Sequence, residues 1–403
     1  MRILMIAPEP VLEPRGTPIS VYQRIQGLSA LGHEIDLLTY PIGADVELPG
    51  LTIYRTMEIP GLKQIKIGPS WGKIVLDGLL FLKAIRFLST NRYDVIHSHE
   101  EAAFFSNLLA WLFRTKHIYD MHSSLPRQLT NFSFGNNKLF IKLFQTLERW
   151  TLNNCDALIT IGSDLAEYVE QINPHVPHQM IENLAVQANQ PNDHKAAAAQ
   201  LRQQLGLQDK KLVVYTGTLE SYQGIDLLLA CARQLYRSHP EICFVLVGGK
   251  PAQIEHWRNE VNAHQLQSTV RFIGAVPVDE VNVYVEMADI LISPRTEGLS
   301  VPLKIYSYLH AEKPIVATAI DAHTLVLDSK SAYLVEPTGP AMAHAIVDLI
   351  ENPTLGRQLS QQAKTLAEEK YSLNQYLTKL EKIYRALEVT LPGAARPVHS
   401  IQD

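Results

Sequence analysis

The feature that most restricts this chain is a recurring alternation of short apolar runs with longer stretches whose apolar residues fall three and four apart. Ile3 to Ala7, Ile35 to Thr39, Leu51 to Thr56, Tyr93 to His97, Ile118 to Met121 and Leu158 to Ile161 form a first series of such runs. Strands covered on both faces by helices have this composition, because every side chain points into a core. A second series comprises Leu212 to Tyr215, Ile242 to Val247, Val270 to Ile273, Ile290 to Ser293, Ile315 to Ala317 and Ala332 to Val335. Between the two, Leu184 to Gln200 loses periodicity and gathers Gln, Asn, Pro and Asp around an alanine run, so a domain junction is expected there. The alternation predicts an α/β protein of two doubly wound sheets.

Such a plan needs full-sized cores, and 403 residues with 46% hydrophobic and 19% charged can supply them. A formal charge of -5 argues against a polyanion binder, so nucleic acid is not an expected partner. Cys155, Cys231 and Cys243 lie far apart in apolar segments and read as buried thiols rather than a disulfide framework or zinc module. Met1 to Ile6 runs straight into a strand, and the most apolar stretch, Gly78 to Leu88, is interrupted by Lys83 and Arg86. Neither a signal peptide nor a membrane span is expected, and the expected location is cytoplasmic.

The stretch Ser293 to Lys304 concentrates polar groups between the run Ile290 to Ser293 and a helix expected from Leu303 to Leu309, at the carboxyl end of a strand where open α/β sheets bind ligands. Gly16 lies before Thr17, read as a helix cap, and Pro18, read as the first helical residue. It is either an anion-binding turn at a helix N-terminus or a plain loop glycine. His122 follows another strand and is either a core histidine or a hydrogen-bonding group at the ligand side. His97-Ser98-His99-Glu100 resembles a metal cluster superficially, but alternate residues of a strand face opposite ways and no remote partner is evident, so no metal is expected. Two basic-aromatic stretches, Leu62 to Arg86 and Phe132 to Arg149, read as core plus solvated face or as a peripheral contact with anionic lipid on the inner face of the membrane.

Glu297-Gly298, Pro302-Leu303-Lys304 and Ala311-Glu312-Lys313-Pro314-Ile315-Val316-Ala317-Thr318 together resemble the sugar-nucleotide loop of the retaining glycosyltransferases of family 4. The resemblance implies the GT-B fold, two Rossmann-like doubly wound domains facing each other across a cleft. It places an acceptor-side domain over residues 1–185, completed by a crossing helix at about 374–388, then a nucleotide-sugar domain over 186–373 and a tail over 389–403. It implies transfer of a sugar from a UDP- or GDP-linked donor to a glycan or lipid-linked acceptor in polysaccharide or glycolipid biosynthesis, with no metal or other cofactor.

Carried over residue by residue, the resemblance makes Glu297 and His122 the catalytic pair. Gly298, Leu299, Ser300 and Val301 would meet the donor sugar and diphosphate. Gly217-Thr218-Leu219-Glu220-Ser221-Tyr222-Gln223-Gly224 resembles the diphosphate loop, and Gly16 is counted with it among the donor-binding residues. The chain departs from the family at Thr218 and Gln223, where Arg and Lys are usual. It departs again where the second carboxylate is usual, which is Ile305 when counted from Glu297 and Ser307 when anchored on Lys313-Pro314, and at Glu312, where Gly is usual. Lys304 and Arg295 are then the expected cations at the diphosphate. A sugar-nucleotide epimerase or hydrolase of similar fold, or a non-catalytic binding subunit, are the competing expectations.

Overall fold

The computed structural model describes residues 1–11, 13, 16–59, 71–129, 138–185, 194–277, 280–298 and 300–389. Within these the chain forms two compact units, Met1–Glu182 with the segment from Tyr376 onward, and Asn183–Gln375.

The sheet of the first unit contains β1 (Arg2–Ala7), β2 (Glu34–Thr39), β3 (Leu51–Arg55), β4 (Val95–His99), β5 (Lys116–Met121), β6 (Ala157–Thr160) and β7 (His178–Met180). Their spatial order is β3-β2-β1-β4-β5-β6-β7, all parallel. The order reverses between β1 and β4, which pair directly with Ile6 opposite Ser98. Ile3 to Ala7 are wholly buried, each large side chain contributing roughly 1.5–3 kcal/mol by leaving water. Leu4, Ile6 and Ile96 pack on one side against Leu76, Leu80 and Ala84 of the helix Trp71–Thr90 and Leu109 of the helix Ala102–Phe113. The final helix, Leu373–Val389, joins this unit, burying Tyr376, Leu380, Ile383, Tyr384 and Leu387.

The second unit holds β8 (Lys211–Thr216), β9 (Ile242–Val247), β10 (Val270–Gly274), β11 (Ile290–Ser293), β12 (Ile315–Thr318) and β13 (Tyr333–Val335). These run in the order β10-β9-β8-β11-β12-β13, again parallel, with the reversal between β8 and β11. Consecutive residues of one strand enter opposite cores. Leu291 packs with Ile305, Tyr308 and Ile315 on one face, and Ile292 with Phe244, Leu228 and Val316 on the other.

Several expected boundaries move. β4 begins and ends two residues later than the apolar pattern suggests, so His97 and His99 lie within the sheet. The helix Gly16–Ala30 already contains Thr17, which is therefore not its cap. The aperiodic stretch near Gln200 is partly a helix, His194–Gln204, which buries Ala198. The strand β7 has no counterpart in the apolar pattern.

Candidate active site

In the second unit the two loops at the sheet's point of reversal are built against each other. The loop after β8 turns through Gly224, whose φ of 72° is left-handed, and a Cβ there would lie 1.9 Å from the carbonyl oxygen of Pro294. Only glycine permits that approach. The Thr296 N–H and the Tyr222 carbonyl then bond at 3.0 Å, fastening the loop after β11 to the loop after β8. From below, Thr318 Oγ1 donates to the Arg295 carbonyl at 2.5 Å. His323 Nδ1 donates to the Thr318 carbonyl at 2.8 Å, and its Nε2 accepts from Ser293 Oγ at 2.8 Å. Burial lowers the His323 pKa to about 4, so the ring is neutral and holds this tautomer. Nothing in the sequence motif pointed to His323, because its partners come from the ends of β11 and β12.

Lys304 enters this assembly from the first turn of the helix Leu303–His310. Its ammonium donates to Gln223 Oε1 at 3.2 Å and lies 3.8 Å from the centre of the Tyr215 ring. A Cβ on Gly217 would stand 3.1 Å from the same nitrogen. Tyr215 in turn donates to the carbonyl of Thr218 at 2.6 Å. Burial, with Arg295 adding repulsion, holds the Lys304 pKa well below that of an ordinary lysine. Among the described residues no carboxylate pairs with it. Gly217, Thr218, Gln223 and Lys304 thus come together around one half-buried cation.

Arg295 is used differently. Its Nε donates to the Glu297 carbonyl at 2.6 Å and its Nη1 to the Ser300 carbonyl at 3.2 Å. The guanidinium also lies across Gly298 and 5.2 Å from the centre of the Tyr222 ring. It braces the loop from within rather than pointing away from it. Glu297, Gly298 and Ser300 are exposed, Val301 and Ser307 are half-buried, and Leu299 lies outside the described residues. Glu312 has a φ of 54°, which explains why glycine suits that position, and its carboxylate pairs with Lys364.

In the first unit His122, 4% exposed, belongs to a buried network that the sequence pattern does not reveal. Arg24 on the helix Gly16–Ala30 pairs with Asp120 of β5 at 2.7 Å, and its Nη1 donates to the Tyr376 hydroxyl at 3.1 Å. His97 bonds Asp120 through Nε2 at 3.3 Å and the Tyr384 hydroxyl through Nδ1 at 2.6 Å. His99 Nδ1 and His122 Nε2 lie 3.0 Å apart, sharing one proton, while His99 Nε2 and His122 Nδ1 are buried without partners among the described residues. Burial opposes charge on Asp120, but Arg24 and His122 hold its pKa well below the usual carboxylate range. Burial lowers His122 to about 4, so it is a neutral hydrogen-bonding group at pH 7.

His97 and His99 do have a remote partner, Asp120, and donor atoms of the three lie within 4.8 Å of one another. Their arrangement is that of an ion-pair network. Arg24 already neutralises Asp120, and both nitrogens of His97 are engaged, so a dication would have to displace a guanidinium. Gly16 is exposed at the start of its helix, with nothing within 4 Å of where a Cβ would stand. Its neighbour Thr17 donates from Oγ1 to Glu100 Oε1 at 3.5 Å.

Residues 14–183 match the family model described as Glycosyltransferase Family 4, and residues 210–352 match Glycosyl transferases group 1. The chain belongs to the family 4 glycosyltransferases. An alpha-D-kanosaminyltransferase of Streptomyces kanamyceticus is 24% identical over 72% of this glycosyltransferase and 77% of its own length. A phosphatidyl-myo-inositol mannosyltransferase of Mycobacterium leprae is 24% identical over 96% and 97% of the two chains. Among solved structures, Anabaena HepE in complex with UDP superimposes with a TM-score of 0.74 at 16% identity, over 96% of this chain and 100% of the other. Sucrose-phosphate synthase from Thermosynechococcus elongatus gives 0.76 at 20% identity over 96% and 99%. The fold of the transferase is GT-B.

Proposed function

We propose that this glycosyltransferase moves a sugar from a UDP- or GDP-linked donor to a glycan or lipid-linked acceptor, with retention of configuration, in polysaccharide or glycolipid assembly. The observation that carries the reading is Lys304, a half-buried cation without a carboxylate partner among the described residues, set between Gly217 and Gln223 at the mouth of the second sheet. A diphosphate supplies the missing anion. Glu297 binds the hydroxyls of the transferred sugar, and the backbone of Ser300 and Val301 meets the donor's sugar and phosphates. HepE, solved with UDP and with UDP-glucose, supports this choice of donor class.

In this reading the bond from the anomeric carbon to the phosphate oxygen breaks as the acceptor oxygen bonds the same face of that carbon. The departing phosphate takes the acceptor's proton. Lys304 stabilises the charge growing on that phosphate, which is electrostatic catalysis, and no metal or other cofactor enters.

A peripheral membrane contact fits the same reading. Leu108, Trp111 and Leu112 of the helix Ala102–Phe113 and Leu82 of the helix Trp71–Thr90 are exposed, as is Lys142 of the helix Lys138–Asn154. Lys73 and Lys83, by contrast, are spent on Glu101 and on the Arg55 carbonyl. Lys63, Lys66, Phe132 and Phe134 lie outside the described residues, as do the side chains of Trp71, Lys138 and Phe140 and the tail beyond residue 389. No helix among the described residues is long and apolar enough to cross a membrane.

The function is tested by titrating UDP, GDP and their nucleosides into the protein, then analysing by mass the products formed from the bound donor with and without a glycan or lipid-linked acceptor. Release of free sugar that no acceptor diverts would show a hydrolase instead.

A further inference from the structure

Glu100 directly follows β4 at the reversal of the first sheet, and its backbone is left-handed, with a φ of 47°. A glutamate has no intrinsic reason to adopt that conformation, which is strained for a residue with a Cβ and gathers at functional sites. The chain leaves β1 for β2 through one helix, Gly16–Ala30, and β4 for β5 through another, Ala102–Phe113. Between two such departures lies the crevice in which open α/β sheets hold ligands.

Glu100 spans that crevice. Its Oε1 accepts from Thr17 Oγ1 at 3.5 Å, at the start of the first helix, and its Oε2 accepts from Ser123 Oγ at 3.0 Å, just beyond β5. The Thr17 bond is long and each oxygen keeps a lone pair, so the carboxylate has capacity left for two further hydroxyl donors. On the flanking strand ends, His99 Nε2 and His122 Nδ1 are buried with no partner among the described residues. Because these two rings share one proton, one of the free nitrogens is a donor and the other an acceptor. The nearby cation, Lys73, is bound to Glu101. Burial first, then the neighbouring Glu101, lifts the Glu100 carboxyl to about 7, with Lys73, Ser123 and Thr17 opposing.

We infer that Glu100 is an acceptor-binding residue whose carboxylate takes hydroxyl groups of a neutral polyol portion of the acceptor. The inference rests on the transferase reading above and adds what the first unit recognises. A carboxylate beside a second carboxylate repels phosphate, so the recognised portion is an uncharged sugar or cyclitol ring rather than a phosphorylated group.

The test uses the full chain with UDP-glucose, or GDP-mannose if only GDP binds, and compares wild type with Glu100→Gln, which keeps side-chain shape and backbone. Transfer to methyl glucoside, to its 6-phosphate and to water is measured, with a melting curve for each protein. The wild type should glycosylate methyl glucoside in preference to the phosphate. Glu100→Gln should reduce the ratio of transfer to hydrolysis by about tenfold or more, mainly through the acceptor KM. An unchanged ratio in a folded variant overturns the inference, as does preference for the phosphate or no wild-type transfer to the neutral sugar despite donor turnover. Failure of the wild type to bind either nucleotide overturns the donor reading itself, and the inference with it.

Discussion

Replacing Lys304 by methionine retains most of the side-chain volume against Tyr215 and removes the charge. In the free protein that charge is costly: burial, with Arg295 behind it, holds the pKa well below the usual lysine value. A group whose folded pKa is lowered binds fewer protons in the folded state than in the unfolded one. Stability therefore rises with pH between the folded and unfolded pKa values. Lys304→Met should accordingly melt above wild type at pH 7, and the difference should shrink as pH approaches 10. Binding reverses the sign. A nucleoside diphosphate contributes the missing anion, and losing one charge-assisted contact costs about 1.5–3 kcal/mol, or roughly 10- to 150-fold in Kd. Because the anion also raises the lysine's pKa, wild-type binding should take up protons, and affinity should fall at high pH. Calorimetry with UDP and uridine in two buffers of different ionisation enthalpy reads both effects. UDP should bind more weakly to Lys304→Met, without the buffer-dependent heat, while uridine binds alike. Equal UDP affinity and equal proton uptake in the two proteins would refute the argument.

Glu297→Ala should cut turnover by more than about a hundredfold, the usual scale for one preorganised polar contact, with UDP affinity nearly unchanged. Steady-state kinetics beside calorimetry would check both, and an active variant would remove Glu297 from the site. His122→Ala should lower kcat more than it weakens donor binding; a change in melting temperature alone would make His122 a structural partner of His99. Glu312→Gly should raise stability by about 0.5–1 kcal/mol in chemical denaturation, since a non-glycine residue at a φ of 54° is strained and the exposed pair with Lys364 is worth little. A less stable variant would mean that the pair matters more than the backbone.

The sheets and the Glu297 loop are legible in the sequence because parallel strands buried on both faces leave apolar runs that need no partner to be recognised. What stays hidden depends on partners far away. β4 reads two residues too early because Ser98 and His99 look like the polar sequence beyond a strand. Ser98 and His99 are tolerated inside because His117 bonds the first and His122 the second. The helix His194–Gln204 is hidden because it buries little more than one alanine. Arg24, Asp120, Tyr376 and Tyr384 meet across separations as long as 352 residues, which no local spacing can signal. Arg295 belongs to a third case. Its charge is visible, but its guanidinium folds back onto its own loop, bonding the Glu297 and Ser300 carbonyls, which no spacing signals.

The helix Leu373–Val389 has a consequence for the order in which the molecule can be made. Its Tyr376 and Tyr384 complete the hydrogen bonding of Arg24 and His97, and a side chain on Gly27 would meet Leu380 and Tyr376 at 2.9 Å. During synthesis, residues 1–182 leave the ribosome first, yet the side chains that close their interior follow only after the whole of Asn183–Gln375 has been translated. Until then a guanidinium–carboxylate pair and an apolar groove stand uncovered. The first half of the chain to be born is the second to be finished, and a nascent chain stalled before residue 376 should be a substrate for chaperones rather than a folded domain.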